Sequence, residues 1–181
     1  MKPESTPADS LKKRFFIFLL LTIVAYVLMR LITNNLSSNT IIEFEMAKTT
    51  GNAELMMSGW GPEGTSRFLK GIYSDFLFII GYTGLLFYGC RYLGYFSGHY
   101  IFRKAGRLFS YLAIIAGICD LLENFGMLFT IKQRAIPWVV EFTYDMARVK
   151  FSLLIIMLFF IIICLLFRAI DRLARDRKPI F

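Results

Sequence analysis

The sequence contains one histidine, His99, and only three cysteines among its 181 residues. Catalytic arrangements that place histidine beside a serine or cysteine nucleophile therefore have at most one candidate base, and zinc sites built on histidine lack ligands. The odd number of cysteines (Cys90, Cys119 and Cys164) offers no closed disulfide framework, and their apolar surroundings indicate packing residues. The sequence also contains no phosphate-binding loop and no dinucleotide fingerprint.

Hydrophobic residues, in contrast, make up 56% of the chain and aromatic residues 17%, and the mean hydropathy is +0.56. These values are typical of an integral membrane protein. Four apolar stretches approach or exceed the roughly 18 residues that span hydrocarbon. They are residues 15–32, 72–93, 108–131 and 149–167. We therefore predict an all-α membrane four-helix bundle that forms one domain over residues 15–173, with terminal tails at 1–14 and 174–181.

The first apolar stretch follows three basic residues, which is also the pattern of a cleaved secretory signal. The stretch is long, and no small-x-small cleavage site follows it. We therefore interpret it as an uncleaved membrane anchor.

Basic residues cluster at three places along the chain, and an excess of Lys and Arg marks loops that stay in the cytoplasm. The clusters are Lys12, Lys13 and Arg14; Arg91, Arg103, Lys104 and Arg107; and Arg168, Arg172, Arg175, Arg177 and Lys178. They predict a multi-pass protein with both termini cytoplasmic and with residues 33–71 and 132–148 on the other side. A bacterial inner membrane, a eukaryotic plasma membrane and an endomembrane fit this pattern equally.

The net charge of +8 raises the question of nucleic-acid binding. The charges flank apolar spans and lack a recognition fold or stacking motif, so we expect no nucleic-acid partner. Membrane lipids with anionic headgroups are the expected partners, and the basic C-terminal end is predicted to be an amphipathic interfacial extension. A solvated topology signal without lipid selectivity is the alternative.

The connection between the first two spans, residues 33–71, is far longer than the about 2 to 8 residues usual between bundle helices. We predict a short interfacial helix within Ile41–Lys48, a break at Thr49–Asn52 and a turn at Gly59–Gly64. Trp60 is expected at the membrane interface. Thr65 or Ser66 is expected to cap the helix that continues into the second span.

The third span contains two acids and an amide, Asp120, Glu123 and Asn124, at a depth where ionisable groups are costly. Their spacing places them on one side of a helix, so that they can share a partner. Small residues (Ala113, Ala116 and Gly117) and Met127 continue the same stripe, which is therefore expected to face protein or a wet cavity and not lipid.

Several other residues are expected near this stripe. Asp75 and Tyr82 follow one face of the second span and are assigned to ligand binding together with Asn124. Glu43, Glu45 and Trp60 are also assigned to ligand binding, from a roof formed by the first loop. Possible counter-charges are Arg30 and either Arg148 or Lys150.

Two acids in a poorly hydrated site can differ in protonation, which leaves one as a donor and the other as an acceptor. Asp120 and Glu123 are therefore the candidate catalytic pair for acid–base conversion of a lipid-like or amphipathic molecule. Two nearby acids are weak evidence for a carboxylate-bound cation such as Ca²⁺ or Mg²⁺. We assign no metal and no cofactor.

Two other functions use the same residues differently. The acids can form the relay of a proton- or cation-coupled transporter subunit. Alternatively, they fasten helices together in a structural or assembly protein. The small size of the chain makes a homo-oligomer plausible under each function.

The overall layout resembles the emopamil-binding/sigma-2 superfamily of small membrane proteins. The likeness consists of four spans, cytosolic ends, a long first loop and intramembrane acids, and it extends to the region of Lys70 and Asp75. The histidine expected in the isomerase branch is not apparent, and no functional residue is transferred. The resemblance implies a cavity for sterol-like molecules and favours an amphipathic ligand over an ion.

Overall fold

Helices are the only regular secondary structure in the computed structural model, which describes residues 7–33 and 38–176. Four of the helices, α1, α3, α4 and α5, are long and apolar enough to cross a membrane. The all-α prediction and the four candidate spans are therefore confirmed. The five helices are α1 Pro7–Ile32, α2 Ser38–Glu45, α3 Thr50–Phe96, α4 Tyr100–Lys132 and α5 Pro137–Asp176.

The long helices extend beyond the apolar stretches that predicted them. α1 begins at Pro7, so residues 7–14 of the predicted tail are helical, with Asp9 in the first turn. Proline suits the first helical position, and an acid there interacts favourably with the helix dipole. At the other end of the chain, α5 continues to Asp176. The remaining parts of the predicted tails, 1–6 and 177–181, lie outside the described residues.

The connection between the first two spans is largely helical. The short helix predicted within Ile41–Lys48 is present as α2, although it begins earlier, at Ser38. The break predicted at Thr49–Asn52 is the start of α3, where the Thr49 hydroxyl accepts a hydrogen bond from the backbone N–H of Asn52 at 3.3 Å. Within the described residues, α2 and the first part of α3 thus occupy most of this connection.

The predicted turn at Gly59–Gly64 is a kink inside α3. Gly61 has φ 62° and ψ −179°, a conformation that favours glycine, and Pro62 starts the second helical segment. The expected cap at Thr65 or Ser66 is therefore wrong, because the helix has already begun. The Thr65 hydroxyl instead donates to the carbonyl oxygen of Gly61 at 2.9 Å.

The helices pack in a sequential order along the chain. α1 packs on α3, α3 on α4 and α4 on α5, while α3 also contacts α5, and α2 lies against α3 and α5. Gly94 on α3 and Gly106 on α4 permit the closest approach, because a Cβ atom on Gly106 would meet the carbonyl oxygen of Cys90. Small residues at this crossing let the two backbones approach, as is common between membrane helices.

Two apolar clusters hold the helices together. The first lies near α2 and includes Phe44, Phe68 and Met127. The second lies nearer the other end of the helices and includes Cys90, Met157 and Cys164. All three cysteines are buried and free, in agreement with a packing role. Along α4, residues 120–124 lie between the two clusters, so the polar stripe is enclosed by apolar packing on both sides.

Candidate functional site

The polar stripe of α4 points into the protein. Asp120, Glu123 and Asn124 are all buried, and the Glu123 side chain is 0% exposed. The small residues and Met127 on the same stripe are buried with them. The prediction that this face is buried within the protein is therefore confirmed.

The centre of the site is the ammonium group of Lys150, which reaches the stripe from α5. Lys150 Nζ lies 2.9 Å from Glu123 Oε1, 2.8 Å from Glu123 Oε2 and 3.1 Å from Asp120 Oδ1. Both Glu123 oxygens lie within ion-pair distance of Lys150 Nζ, but only Oε1 accepts a hydrogen bond from it. Burial of a charge in apolar surroundings is costly unless it is paired, and these contacts supply the pairing.

A third carboxyl comes from α2. Glu45 Oε2 lies 3.4 Å from Lys150 Nζ, so the lysine connects α2, α4 and α5. Burial raises the pKa of Glu45, while the positive charge of Lys150 opposes that shift. α2 therefore contacts Lys150 through Glu45 and also packs through the apolar contacts of Phe44.

Two further hydrogen bonds attach α3 to the stripe. The Tyr82 hydroxyl donates to Asp120 Oδ2 at 2.6 Å, and Asn124 Nδ2 donates to Asp75 Oδ2 at 2.7 Å. Asp120 thus accepts from Tyr82 through one oxygen and contacts Lys150 through the other. This arrangement fixes the orientation of its carboxyl group.

A cavity of about 400 Å³ lies beside this cluster. Its size falls within the roughly 300–1,000 Å³ of small-molecule sites. Polar groups concentrate in one part of its lining, and apolar side chains form most of the rest. The polar lining residues are Glu45, Asp75, Tyr82, Asp120, Asn124 and Lys150; the others are Met29, Ile41, Ile42, Gly71, Ile72, Phe78, Leu85, Leu86, Phe151 and Leu154.

Acids outnumber bases in the polar part. Among the described residues, Lys150 is the single basic residue in the cavity lining, whereas Glu45, Asp75 and Asp120 are acidic. Glu123 adds a further carboxyl behind Lys150 without lining the cavity. A molecule that contributes positive charge or hydrogen-bond donors would match this surplus of acceptors.

The structure gathers five of the eight predicted site residues around the cavity and places a sixth directly behind it. Asp75, Tyr82, Asp120, Asn124 and Glu45 line the cavity, and Glu123 contacts Lys150. Glu43 and Trp60 are not brought to the site.

Glu43 is exposed because residues two apart on a helix point to nearly opposite sides, and α2 turns Glu45 inward. Trp60 stacks on Phe68 at 4.4 Å between ring centroids and contacts Phe44 at 5.0 Å. It therefore packs in the first apolar cluster, where it supports α2.

Of the possible counter-charges, the structure uses Lys150. Arg148 is on the surface, with a side chain 63% exposed and 3.9 Å from Asp145. Arg30 does not line the cavity. Lys150 is one of the expected counter-charges but is not among the predicted site residues, because the predicted fourth span begins beside it. Two features of the sequence indicate that Lys150 lies inside this helix. They are the apolar run that follows it and Pro137, at which α5 begins about three and a half turns earlier.

Within the described residues, no group of three or more His, Cys, Asp or Glu side chains is arranged to hold a metal ion. Lys150 itself occupies the position between the carboxyl groups that a cation would take. The chain matches no protein-family model, no curated protein and no solved structure.

Proposed function

We propose that this multi-pass membrane protein binds a lipid-like or amphipathic small molecule in the cavity beside Lys150. In this proposal the helices form a four-helix membrane bundle with both termini in the cytoplasm and α2 on the opposite side. The polar head of the ligand contacts Asp75, Asp120 and Asn124. Its apolar part lies against the aliphatic and aromatic wall.

The observation that carries the proposal is the composition of the cavity. An acid-rich polar cluster and an apolar wall line one space of about 400 Å³ within helices long enough to cross a membrane. Ionisable groups at such depth are expensive, and they commonly mark substrate or ion pathways. An apolar lining with a few convergent polar groups is the usual form of a small-molecule site.

The surplus of acids favours a ligand head that is cationic or rich in hydrogen-bond donors. A long-chain amine satisfies both requirements, because its ammonium group offers three donors and its chain matches the apolar wall. Met29, Phe78 and Leu86 line the apolar part of the cavity and are only partly buried. The apolar part of the cavity therefore contacts the lipid-facing surface of the helices. A ligand that enters from the bilayer would meet these side chains before the acids.

Acid–base conversion of the ligand would rest on Asp120. It is the member of the proposed catalytic pair that lines the cavity, and Tyr82 and Lys150 hold its two oxygens. Glu123 lies behind Lys150, so its part would be to position the lysine and to balance its charge. When Asp120 gains or loses a proton, the neighbouring charged groups of the same cluster would thus balance the change in charge.

A structural clamp is the second candidate function. It is favoured by the contacts of Lys150 with Glu45, Asp120 and Glu123, which join three helices. In that case the cavity would be incidental. Loss of the acids would then change stability without changing the affinity for any amphiphile.

The test uses three probes with the same chain and different heads: dodecylamine, dodecanol and dodecanoate. Binding to the purified full chain in a neutral detergent is measured by displacement of a fluorescent alkylamine. We expect dodecylamine to bind most tightly, because its ammonium group complements the excess acids. Asp120→Asn should weaken amine binding by about tenfold, the value of one hydrogen bond to a charged group.

A cavity-filling pair of variants separates the site from general partitioning into detergent. Leu154→Trp fills the cavity, whereas Leu158→Trp, one turn further along α5, is on a surface position that is 56% exposed. Loss of binding in the first variant and retention in the second support the proposal. Equal binding of the three probes, or equal behaviour of the two variants, overturns it in favour of the clamp.

A further inference from the structure

A second cavity lies at the end of the long helices that is remote from α2. It has a volume of about 360 Å³ and is lined by Leu11 of α1, Arg91 and Tyr95 of α3, and Tyr100, Arg103 and Arg107 of α4. No aspartate or glutamate is among these lining residues. Among the described residues, three arginines therefore line one space without a carboxyl group in its wall.

Aromatic rings hold two of these arginines. The guanidinium carbon of Arg91 lies 4.5 Å from the ring centroid of Phe87, and Arg91 Nε donates to Ser110 Oγ at 3.1 Å. The guanidinium of Arg103 lies 5.0 Å from the ring centroid of Tyr95. A guanidinium group stacked on a ring keeps its edge N–H groups available for an anion.

From this arrangement we propose that the cavity is a binding site for a phosphoryl group, supplied by the headgroup of an anionic membrane lipid. Arginine presents a planar fork of donors that matches phosphate oxygens in bidentate fashion, and the hydroxyl groups of Tyr95 and Tyr100 add donors. The position at the ends of apolar helices is the depth of lipid headgroups. Leu11 provides an apolar edge on which an acyl chain can lie.

The lysines at the same end of the molecule differ from this group. Lys12, Lys13 and Lys104 are exposed, as are Arg103 and Arg107, but these lysines do not line the cavity. They have the features of a solvated topology signal, namely charge without a defined binding geometry. These three lysines therefore provide a control with the same change in charge.

The experiment measures binding to the purified full chain in neutral detergent by titration calorimetry. The probes are a short-chain phosphatidic acid, phosphatidylcholine with the same chains, glycerol phosphate and inorganic phosphate. We expect phosphatidic acid to bind most tightly. The triple variant Arg91→Gln/Arg103→Gln/Arg107→Gln should weaken its binding by at least about tenfold, and Lys12→Gln/Lys13→Gln/Lys104→Gln by less than about threefold.

Two further variants keep the test valid if the arginine triple fails to fold. Arg107→Gln alone removes one exposed guanidinium group and should weaken phosphatidic acid binding by several-fold. Replacement of all three arginines by lysine retains the charge but loses the forked donors, so it should also weaken binding. Full retention of affinity in both variants would overturn the proposal.

The outcomes are distinct. Equal weakening by the arginine and lysine triples would show diffuse attraction to anionic headgroups and would overturn a defined site. Binding of glycerol phosphate or inorganic phosphate as tight as that of phosphatidic acid would support the phosphoryl site and overturn its assignment to a lipid. Equal binding of phosphatidylcholine would overturn selectivity for an anionic headgroup.

Discussion

Lys150 on α5 and Glu123 on α4 form a two-oxygen ion pair in the interior, with Nζ at 2.9 and 2.8 Å from the two carboxyl oxygens. Lys150 is 5% exposed and Glu123 0%. Because both side chains are almost fully buried, each charge depends on the other and on the neighbouring acids. This dependence leads to the first prediction.

Replacement of Lys150 by methionine should destabilise the protein by about 3–5 kcal/mol, because it leaves buried carboxyl groups without their cation. The measurement is the unfolding midpoint of the purified protein in mixed micelles with increasing denaturing detergent. Adding Glu123→Gln to this variant should cost less than the sum of the single changes, since it removes one of the unpaired acids.

Arg148→Met is the matched control for charge and side-chain length. Arg148 is on the same helix but exposed, so its loss should change stability by about 0.5 kcal/mol or less. If both variants were equally stable, Lys150 would have no special role in joining the helices.

The second prediction concerns Glu45 and pH. Burial raises the pKa of Glu45 above its ordinary value of 4.5. Protonation of Glu45 therefore favours the folded state. Its contribution to the free energy of unfolding is fully present below the pKa of the unfolded state and is lost as pH rises through the pKa of the folded state. The thermal midpoint of the wild type minus that of Glu45→Gln should fall as pH is raised from about 4 to 8.

Glu43→Gln is the control for this titration. Glu43 lies on the same short helix, but its side chain is exposed. The variant should retain the pH profile of the wild type. Parallel profiles for the wild type and Glu45→Gln would contradict the contribution assigned to Glu45.

The third prediction concerns the hydrogen bond between Tyr82 and Asp120. Tyr82→Phe removes the hydroxyl that donates to Asp120 Oδ2 at 2.6 Å and should destabilise the protein by about 1.5–3 kcal/mol. Tyr111→Phe, at a position 55% exposed, should have little effect. Thermal unfolding in detergent compares the two variants, and similar midpoints would argue against a structural contribution from the Tyr82 hydroxyl.

The fourth prediction tests the close approach of α3 and α4. Gly106→Ala should cost about 1–3 kcal/mol, because the new methyl group meets the carbonyl oxygen of Cys90 and separates the helices. Gly51→Ala, where a Cβ atom meets nothing within 4 Å, should cause no loss of stability. The ratio of folded to unfolded protein at a fixed concentration of denaturing detergent measures both effects.

The apolar stretches were sufficient to predict the four long helices, because a run of about 18 apolar residues has few other stable environments than a membrane. The helix period likewise predicted that Asp120, Glu123 and Asn124 share a buried face. The helix ends were predicted less well. The mostly polar residues 7–14 are helical without an apolar pattern to show it. Residues 137–148, which were predicted to belong mainly to a connection, are also helical.

The sequence by itself thus determined the helical class, the candidate spans and the burial of the acidic stripe, since these depend on local composition and helix period. Only the tertiary structure decided that Lys150 is the cation of the site, and that α2 brings Glu45 inward and Glu43 outward. These contacts join residues up to 105 positions apart. Such pairing depends on how the helices are rotated and docked, and that is set by packing between side chains distant in the chain.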